Sequence, residues 1–453
     1  MTKPNILYAC STCGAQNAKW SGRCSECGAW GTLREETGEI ETRGTKRSST
    51  KSGDLHSFAE ETALHAATSS SGLSSLDLVL GGGVVQGSVT LVAGEPGIGK
   101  STLLAQAAIA LSAQGKTVIY VTGEESPSQI QRRLKRLADA VPKTLLFLDD
   151  TDAPTIAATI GSQKAALVII DSVQSLRADQ ATGEAGSVTQ VKACAAILTE
   201  AAKRSHTPVI LVGQVTKDGD VAGPRILEHL VDTVLFLEGD SQHRYRLLRA
   251  LKHRFGPTDE VALLAMTERG LEPVADASQE LLRDRPTNAS GSAVTCLIEG
   301  HRAMLIELQA LVSPAGYGTP IRRATGTDPA RLGMLLAVLA RRAGIQAHDK
   351  DVYANAAGGI DARDPSVDVA LAAAIASAVK DIPLEPRLGL FGEVGLAGEL
   401  RPVSLPELRM KEMARMGFTH VIVPKGQSAH APSGLTVTEA TTLREALQIA
   451  RIV

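Results

Sequence analysis

The stretch GEPGIGKST, residues 94–102, leaves the chain around it few choices. It fits G-x-x-x-x-G-K-[ST] between the apolar run VTLVA and a helical segment that starts at Lys100, the strand-to-helix setting in which this pattern forms a phosphate-binding loop. The glycines let backbone N–H groups curl round phosphates, Lys100 bridges β and γ oxygens, and Ser101 holds Mg2+. Gly94, Glu95, Pro96, Gly97, Ile98, Gly99, Lys100, Ser101 and Thr102 are therefore the expected nucleotide-binding residues.

A loop of this kind predicts an alternating fold, and the sequence from about Leu73 to Leu271 supplies one. VTLVAG, TVIYVTG, LLFLD, LVIID, PVILVGQ and TVLFLEG are continuous apolar runs, with helical patterns from Lys100 and around Gln129–Ala138. Such runs predict a parallel sheet covered on both faces. LVIID ends in Asp171, the expected carboxylate acting on Mg2+ through water. TVIYVTGEES puts Glu124 and Glu125 at the end of the next strand, beside the P-loop, where one carboxylate polarises the attacking water. Glu124 is the expected base and Glu125 its rival, because a one-residue register is not fixed by sequence. Gln214 ends PVILVGQ and is a candidate sensor of the γ-phosphate, with a solvated strand end as the alternative.

The six cysteines sit as Cys10, Cys13, Cys24 and Cys27, with Cys194 and Cys296 alone in apolar segments. CSTC and CSEC are separated by ten residues, and two such knuckles present four thiolates tetrahedrally to one Zn2+. A closed four-thiolate shell is structural. Nearby Lys19, Arg23, Trp20 and Trp30 either meet a partner or frame a small core. The segment from residue 33 onward, LREETGEIETRGTKRSSTKSGD, is charged and poor in apolar residues and reads as a linker.

With 453 residues, two or three domains are expected. No apolar run approaches the roughly 20 residues of a membrane span, so the chain is expected in the cytoplasm with no membrane partner. The formal net charge of −2 excludes a general basic field, which confines any nucleic-acid contact to local patches.

In LKHRFGP, an extended strand points Lys252 and Arg254 to one face and His253 to the other, just before a Gly-Pro turn. A charge pair on an edge hairpin is commonly a solvated edge. Beside a P-loop domain the pair can also reach an adjacent subunit's nucleotide and make hydrolysis depend on assembly.

CSTC and CSEC, GEPGIGKST, YVTGEES, LVIIDS and KHRFG, together with a Lon-like C-terminal region, make the chain resemble the RadA/Sms family of bacterial recombination and repair proteins over essentially its whole length. His253 stands where family members have Asn, and Gln214 where they have His; the first change is expected to matter little, and the second leaves a coupling role intact. The resemblance implies an α/β fold with a RecA-like P-loop parallel sheet core at 63–275, an N-terminal zinc ribbon at 1–32, linkers at 33–62 and 276–290, and a Lon-protease-like α/β domain at 291–453. It implies ATP, Mg2+ and Zn2+ as cofactors, Lys100, Glu124, Asp171, Lys252 and Arg254 as catalytic groups, and a hexameric homo-oligomer. The implied partners are single-stranded and branched DNA and a RecA-type recombinase, for a DNA-dependent motor of branch migration. Loops Arg177–Gly186 and Lys217–Arg225 carry few cations, a pattern consistent with backbone tracking and equally with solvation. A non-motor, ATP-binding ring adaptor is one alternative.

A Lon-like peptidase is another. RDPSVDVALAAAIASA, residues 363–378, places Ser366 on that family's nucleophile, after a helix start made by Asp364 and Pro365. Arg409 then falls on the lysine that should activate it. A guanidinium with pKa above about 12 cannot act as a base near neutrality. Lys411, roughly 200° round the helix from Arg409, does not replace it. Ser366 is thus expected to be a cap on a retained scaffold that serves ring assembly.

Overall fold

The structure, a computed structural model, describes residues 7–13, 15–17, 19–24, 26–36, 68–214, 224–239, 244–316 and 319–453. Two compact units emerge: Met1–Phe236 with Leu251–Gly256, and Leu237–Ala250 with Pro257–Val453.

The first unit opens with an antiparallel ribbon of β1 (Leu7–Cys10), β2 (Gln16–Asn17) and β3 (Leu33–Glu36) in the order β2-β1-β3. Since β3 pairs with β1 from Leu7↔Glu36 to Cys10↔Leu33, the ribbon runs past the boundary expected at residue 32. Leu33 explains the difference, because it packs with Cys10 and Cys24 in a very small core. The rest of the expected linker lies outside the described residues.

A parallel sheet follows: β4 (Val89–Gly94), β5 (Val118–Thr122), β6 (Leu145–Asp149), β7 (Leu167–Asp171), β8 (Val209–Gln214) and β9 (Thr233–Glu238), in the order β9-β4-β8-β7-β5-β6. Helices α1 (Lys100–Ala113), α2 (Pro127–Leu137), α3 (Ala153–Ser162) and α4 (Val188–Ser205) connect them. The central strands are buried along nearly their full length, as their apolar runs predict. β6 departs from this: as an edge strand it leaves Leu146 and Phe147 exposed. Registers Gly94↔Gln214 and Thr122↔Asp171 bring the C-terminal strand ends to a common level, where a parallel sheet opens a crevice. α2 starts sharply because Ser126 and Gln129 form a reciprocal capping box with Pro127 at the first turn.

The expected end of the ATPase region at 275 does not coincide with the division into units, which places Leu237–Ala250 and Pro257 onward in the second unit and Leu251–Gly256 in the first. The antiparallel strands β10 (Tyr245–His253), β11 (Val261–Thr267) and β12 (Gly270–Pro273) were assigned by sequence to the ATPase region ending at 275. Yet Tyr245, Leu247, Val261, Leu263 and Ala265 pack into one core with Leu281, Ala293, Met304 and Ile306. The expected linker at 276–290 contains α5 (Ala277–Leu282), whose first turn is capped by Asp276 accepting from the Gln279 N–H at 3.0 Å. It is held because Ser278 and Leu281 are buried.

Beyond it, β13 (Ser292–Glu299), β14 (Arg302–Pro314), β15 (Arg322–Thr325), β16 (Lys350–Ala356), β17 (Leu388–Leu390), β18 (His420–Pro424) and β19 (Thr436–Ala440) form a mixed sheet in the order β15-β16-β14-β13-β17-β18-β19. α6 (Pro329–Val338), α7 (Asp368–Lys380) and α8 (Pro406–Arg415) pack with it. Every residue of α7 from Asp368 to Ser377 is buried, which its run of alanines permits. Among the described residues no helix is long and apolar enough to cross a membrane.

Candidate nucleotide and metal sites

The crevice at the strand ends holds a cavity of about 260 Å3, lined by P-loop residues with Thr122, Glu124, Glu125, Arg133, Asp171, Val212 and Gln214. Gly97 (φ 76°) and Gly99 (φ 117°) adopt the left-handed backbone that side chains disfavour, which turns the loop into the first turn of α1. Gly99, Lys100, Ser101 and Thr102 line the cavity, so a helix N-terminus with its free N–H groups lies at the phosphate position. The Ile98 side chain instead plugs into the core at 1% exposure and anchors the loop from beneath.

Lys100 is 6% exposed, and its Nζ donates to the Gly94 and Glu95 carbonyls at 2.8 Å each. Burial pushes its ammonium down to about 8, opposed by the nearby Asp171, Glu124 and Glu95. The sign of the linkage follows. Well below pH 8 the free protein already holds the ammonium; above it the amine is mostly neutral, and a triphosphate placed beside it favours reprotonation. Nucleotide binding at about pH 9 is expected to take up nearly one proton, and at about pH 7 almost none. Calorimetry in two buffers of different ionisation heat measures this number, and an absence of uptake at the higher pH contradicts a desolvated Lys100.

Asp171 closes β7, and its Oδ2 accepts from the Tyr120 hydroxyl at 2.7 Å, with Arg133 Nη1 at 3.9 Å from the same oxygen. Burial, with Asp171 beside it, holds the Tyr120 phenol well above its ordinary value, so this hydroxyl is a permanent donor. The backbone N–H groups of Glu124 and Glu125 both donate to Thr122 Oγ1, at 3.3 and 3.2 Å. That turn sends the neighbouring carboxylates to different partners: Glu124 accepts from the Ser172 hydroxyl, and Glu125 pairs with Arg133. Sequence reasoning placed this pair beside the P-loop, but β8 and β7 stand between β4 and β5, and the carboxylates reach the cavity along the strand ends. Gln214 lines the cavity and is exposed.

Three contributors escaped the sequence: Arg133, Tyr120 and Ser172. The signal for Arg133 was faint, a flank of the buried Ile130 and Leu134 stripe in QIQRRLKRL, where Arg132 competes with it.

Lys252 and Arg254 do not line the cavity of their own chain. The Lys252 ammonium, expected as a catalytic group, donates in this chain to the Glu228 carbonyl and, at 2.9 Å, to that of Val231. Burial, then the adjacent Arg254, pushes this ammonium down. Arg254 is half exposed and touches Asp232 at 3.2 Å, whose other oxygen accepts from the Val89 N–H. His253, expected to matter little, is wedged in: Nδ1 lies 2.9 Å from Thr233 Oγ1 and Nε2 3.2 Å from the Leu80 carbonyl. Of the two candidate DNA loops, Arg177 is exposed, and the turn after it is stitched by buried Gln190, which bonds the Ala178 N–H and the Ala181 and Gly183 carbonyls. Lys217 and the side chain of Arg225 lie outside the described residues.

In the ribbon, the Sγ atoms of Cys10, Cys13, Cys24 and Cys27 all fall within 4.8 Å of one another, with Cys10 to Cys27 at 3.7 Å and Cys13 to Cys24 at 3.6 Å. Tetrahedral thiolates at Zn–S 2.3 Å stand about 3.8 Å apart, so the donor set fits zinc.

In the second unit, Asp364 is the cap, accepting from the Ser366 N–H at 2.8 Å; Ser366 itself caps nothing. Its side chain is 2% exposed, and its Oγ has no hydrogen-bond partner among the described residues. Arg409 is fully buried; its guanidinium bonds the Cys296 carbonyl and, at 3.0 Å, that of Ser404, with the Phe391 ring 5.9 Å from its centre. Asp368 forms a forked pair with Arg331 and accepts from the Val394 N–H at 3.1 Å.

Comparison with known proteins accords with these three parts. The model of the AAA domain matches residues 57–220, that of the rubredoxin metal binding domain 8–35, and that of the Lon protease (S16) C-terminal proteolytic domain 340–450. Among solved structures, a KaiC-like protein from Pyrococcus horikoshii aligns with a TM-score of 0.39 and 17% identity, over 46% of this chain and 99% of its own. The DNA repair protein RadA of Pseudomonas aeruginosa is 43% identical over 99% of both chains, and that of Bacillus subtilis 40% identical over 99% of both. The RadA of Aquifex aeolicus is 41% identical over 99% of this chain and 100% of its own. With that identity sustained from the cysteine ribbon to the last helix, the chain belongs to the RadA family of DNA repair proteins.

Proposed function

We propose that the protein is a DNA-dependent ATPase of recombination and repair, working as a hexameric ring on single-stranded and branched DNA to promote branch migration, in company with a RecA-type recombinase. One observation carries this reading. The cavity assembles Lys100, Asp171 and Glu124 within one chain, while the half-exposed Arg254 lies outside it, paired with Asp232. With Arg133 committed to Glu125, hydrolysis then draws a further cation from a neighbour.

In this reading Lys100 and the P-loop N–H groups hold the phosphates, and Ser101 and Asp171 hold the hydrated Mg2+. Glu124 takes the proton of the attacking water, and Gln214 reports the γ-phosphate to the segment after it. Lys252 fixes the strand that presents Arg254. The four ribbon cysteines hold a structural Zn2+, which supplies the folding energy that so small a core lacks. Arg177 is a candidate backbone contact to DNA. The peptidase reading receives no support, since Ser366 is buried and Arg409 is bonded to main-chain carbonyls.

ATP turnover measured with and without single-stranded DNA tests the proposal, with the particles imaged in parallel. DNA is expected to raise turnover severalfold in six-membered rings. Unchanged turnover in well-formed rings overturns the motor reading.

A further inference from the structure

We propose that Arg133 is a positioning residue of the hydrolysis site, which selects Glu124 over Glu125 as the carboxylate free to act on water. The inference rests on the reading of Glu124 as the group that accepts the water's proton.

The two glutamates are adjacent, and both backbone N–H groups are turned by Thr122, so sequence and chain direction alone treat them alike. Arg133 breaks the tie. The capping box fixes where α2 begins and so where Arg133 stands, nearly two turns along. From there its Nη2 pairs with Glu125, while Nη1 lies 3.9 Å from Asp171 Oδ2, buried and without a hydrogen-bond partner among the described residues. One forked cation thus faces two carboxylates, each through its own nitrogen. Glu125 has its charge matched and its Oε1 engaged. Glu124 takes part in no ion pair among the described residues and accepts from the neutral hydroxyl of Ser172, which leaves its charge unspent.

Without Arg133, Lys100 is the one cation left lining the cavity among the described residues, facing Glu124, Glu125 and Asp171. Glu125 is then an unmatched negative charge beside the γ-phosphate position, where it repels the nucleotide's developing charge and competes for water and Mg2+. The defect is therefore carried by Glu125, and removing Glu125 should relieve it.

Steady-state ATPase of the full-length chain, with and without single-stranded DNA, tests this in the variants Arg133→Gln, Glu125→Gln, Arg133→Gln/Glu125→Gln and Glu124→Gln, each checked by its thermal midpoint. Arg133→Gln is expected to lose at least roughly tenfold in kcat with KM little changed, and the double variant to recover most of that loss. Glu125→Gln alone is expected to lose less than Glu124→Gln by at least roughly tenfold. A double variant no faster than Arg133→Gln, or Glu125→Gln as slow as Glu124→Gln, overturns the proposal. A purely structural Arg133 would lower the thermal midpoint and gain nothing from Glu125→Gln. If Glu124→Gln turns over at the unaltered rate, the assignment of the base fails, whatever the Arg133 variants do.

Discussion

Arg254→Ala protein is expected to bind ATP normally and to hydrolyse it about a thousandfold more slowly, the scale of a missing arginine finger. Arg254 is half exposed but its partner Asp232 is buried and keeps the Val89 N–H as a donor, so the variant is expected to lose some stability, and its thermal midpoint shows that it remains folded at the assay temperature. The informative step is mixing. Lys100→Ala protein keeps a sound Arg254 beside a dead pocket, and Arg254→Ala protein keeps a sound pocket without a finger. Co-assembled one to one, about a quarter of the interfaces join a working pocket to a working finger under random mixing in a closed ring. Turnover reappearing on mixing two inactive proteins establishes delivery between subunits. Silence on mixing, in rings that contain both, refutes it.

The second large effect concerns stability. Asp368 is 1% exposed in the buried helix α7, and Arg331 is its forked partner. Arg331→Met keeps much of the side-chain bulk and strands a buried carboxylate, at a cost of about 3 to 5 kcal/mol. Burial already pushes the Asp368 carboxyl up, with the Arg331 guanidinium and the Val394 N–H opposing the shift. Losing Arg331 raises it further. A folded-state value above the unfolded one means that protonation relieves the strain, so the penalty is largest near neutrality and shrinks as pH falls towards that raised value. Calorimetric unfolding at about pH 7.5 and about pH 5 should show a gap between variant and parent that narrows in acid. A gap that widens instead would show that Asp368 was not the stranded charge.

The sheet was legible because parallel strands covered on both faces are written as unbroken apolar runs; VTLVAG, VIYVT and LVIID each fall on a buried strand. The cysteine spacing was legible because ligand geometry constrains it directly. The domain border was not. YRLLRALKHR has a polar break after it in sequence, but the destination of Tyr245 and Leu247 is a core formed by residues far downstream. The same limit hid the state of Lys252: an exposed cation and one satisfied by two loop carbonyls are spelled identically, and only the fold brings Glu228 and Val231 to it. Glu124 and Glu125 were indistinguishable for a related reason, since their difference lies in Ser172 and Arg133, from other segments of the chain.

The guanidinium of Arg409 sends separate nitrogens to the Cys296 and Ser404 carbonyls and faces the Phe391 ring. A lysine at this place would bring one ammonium on an unbranched stem where two guanidinium nitrogens now serve acceptors from different segments, and would lose the flat face presented to Phe391. Arg409→Lys is thus expected to lower the thermal midpoint without giving Ser366 a base that reaches it. The guanidinium is a structural tie between α8, β13 and the turn at Ser404, and the place a proton carrier would need is already taken up by fastening main chain.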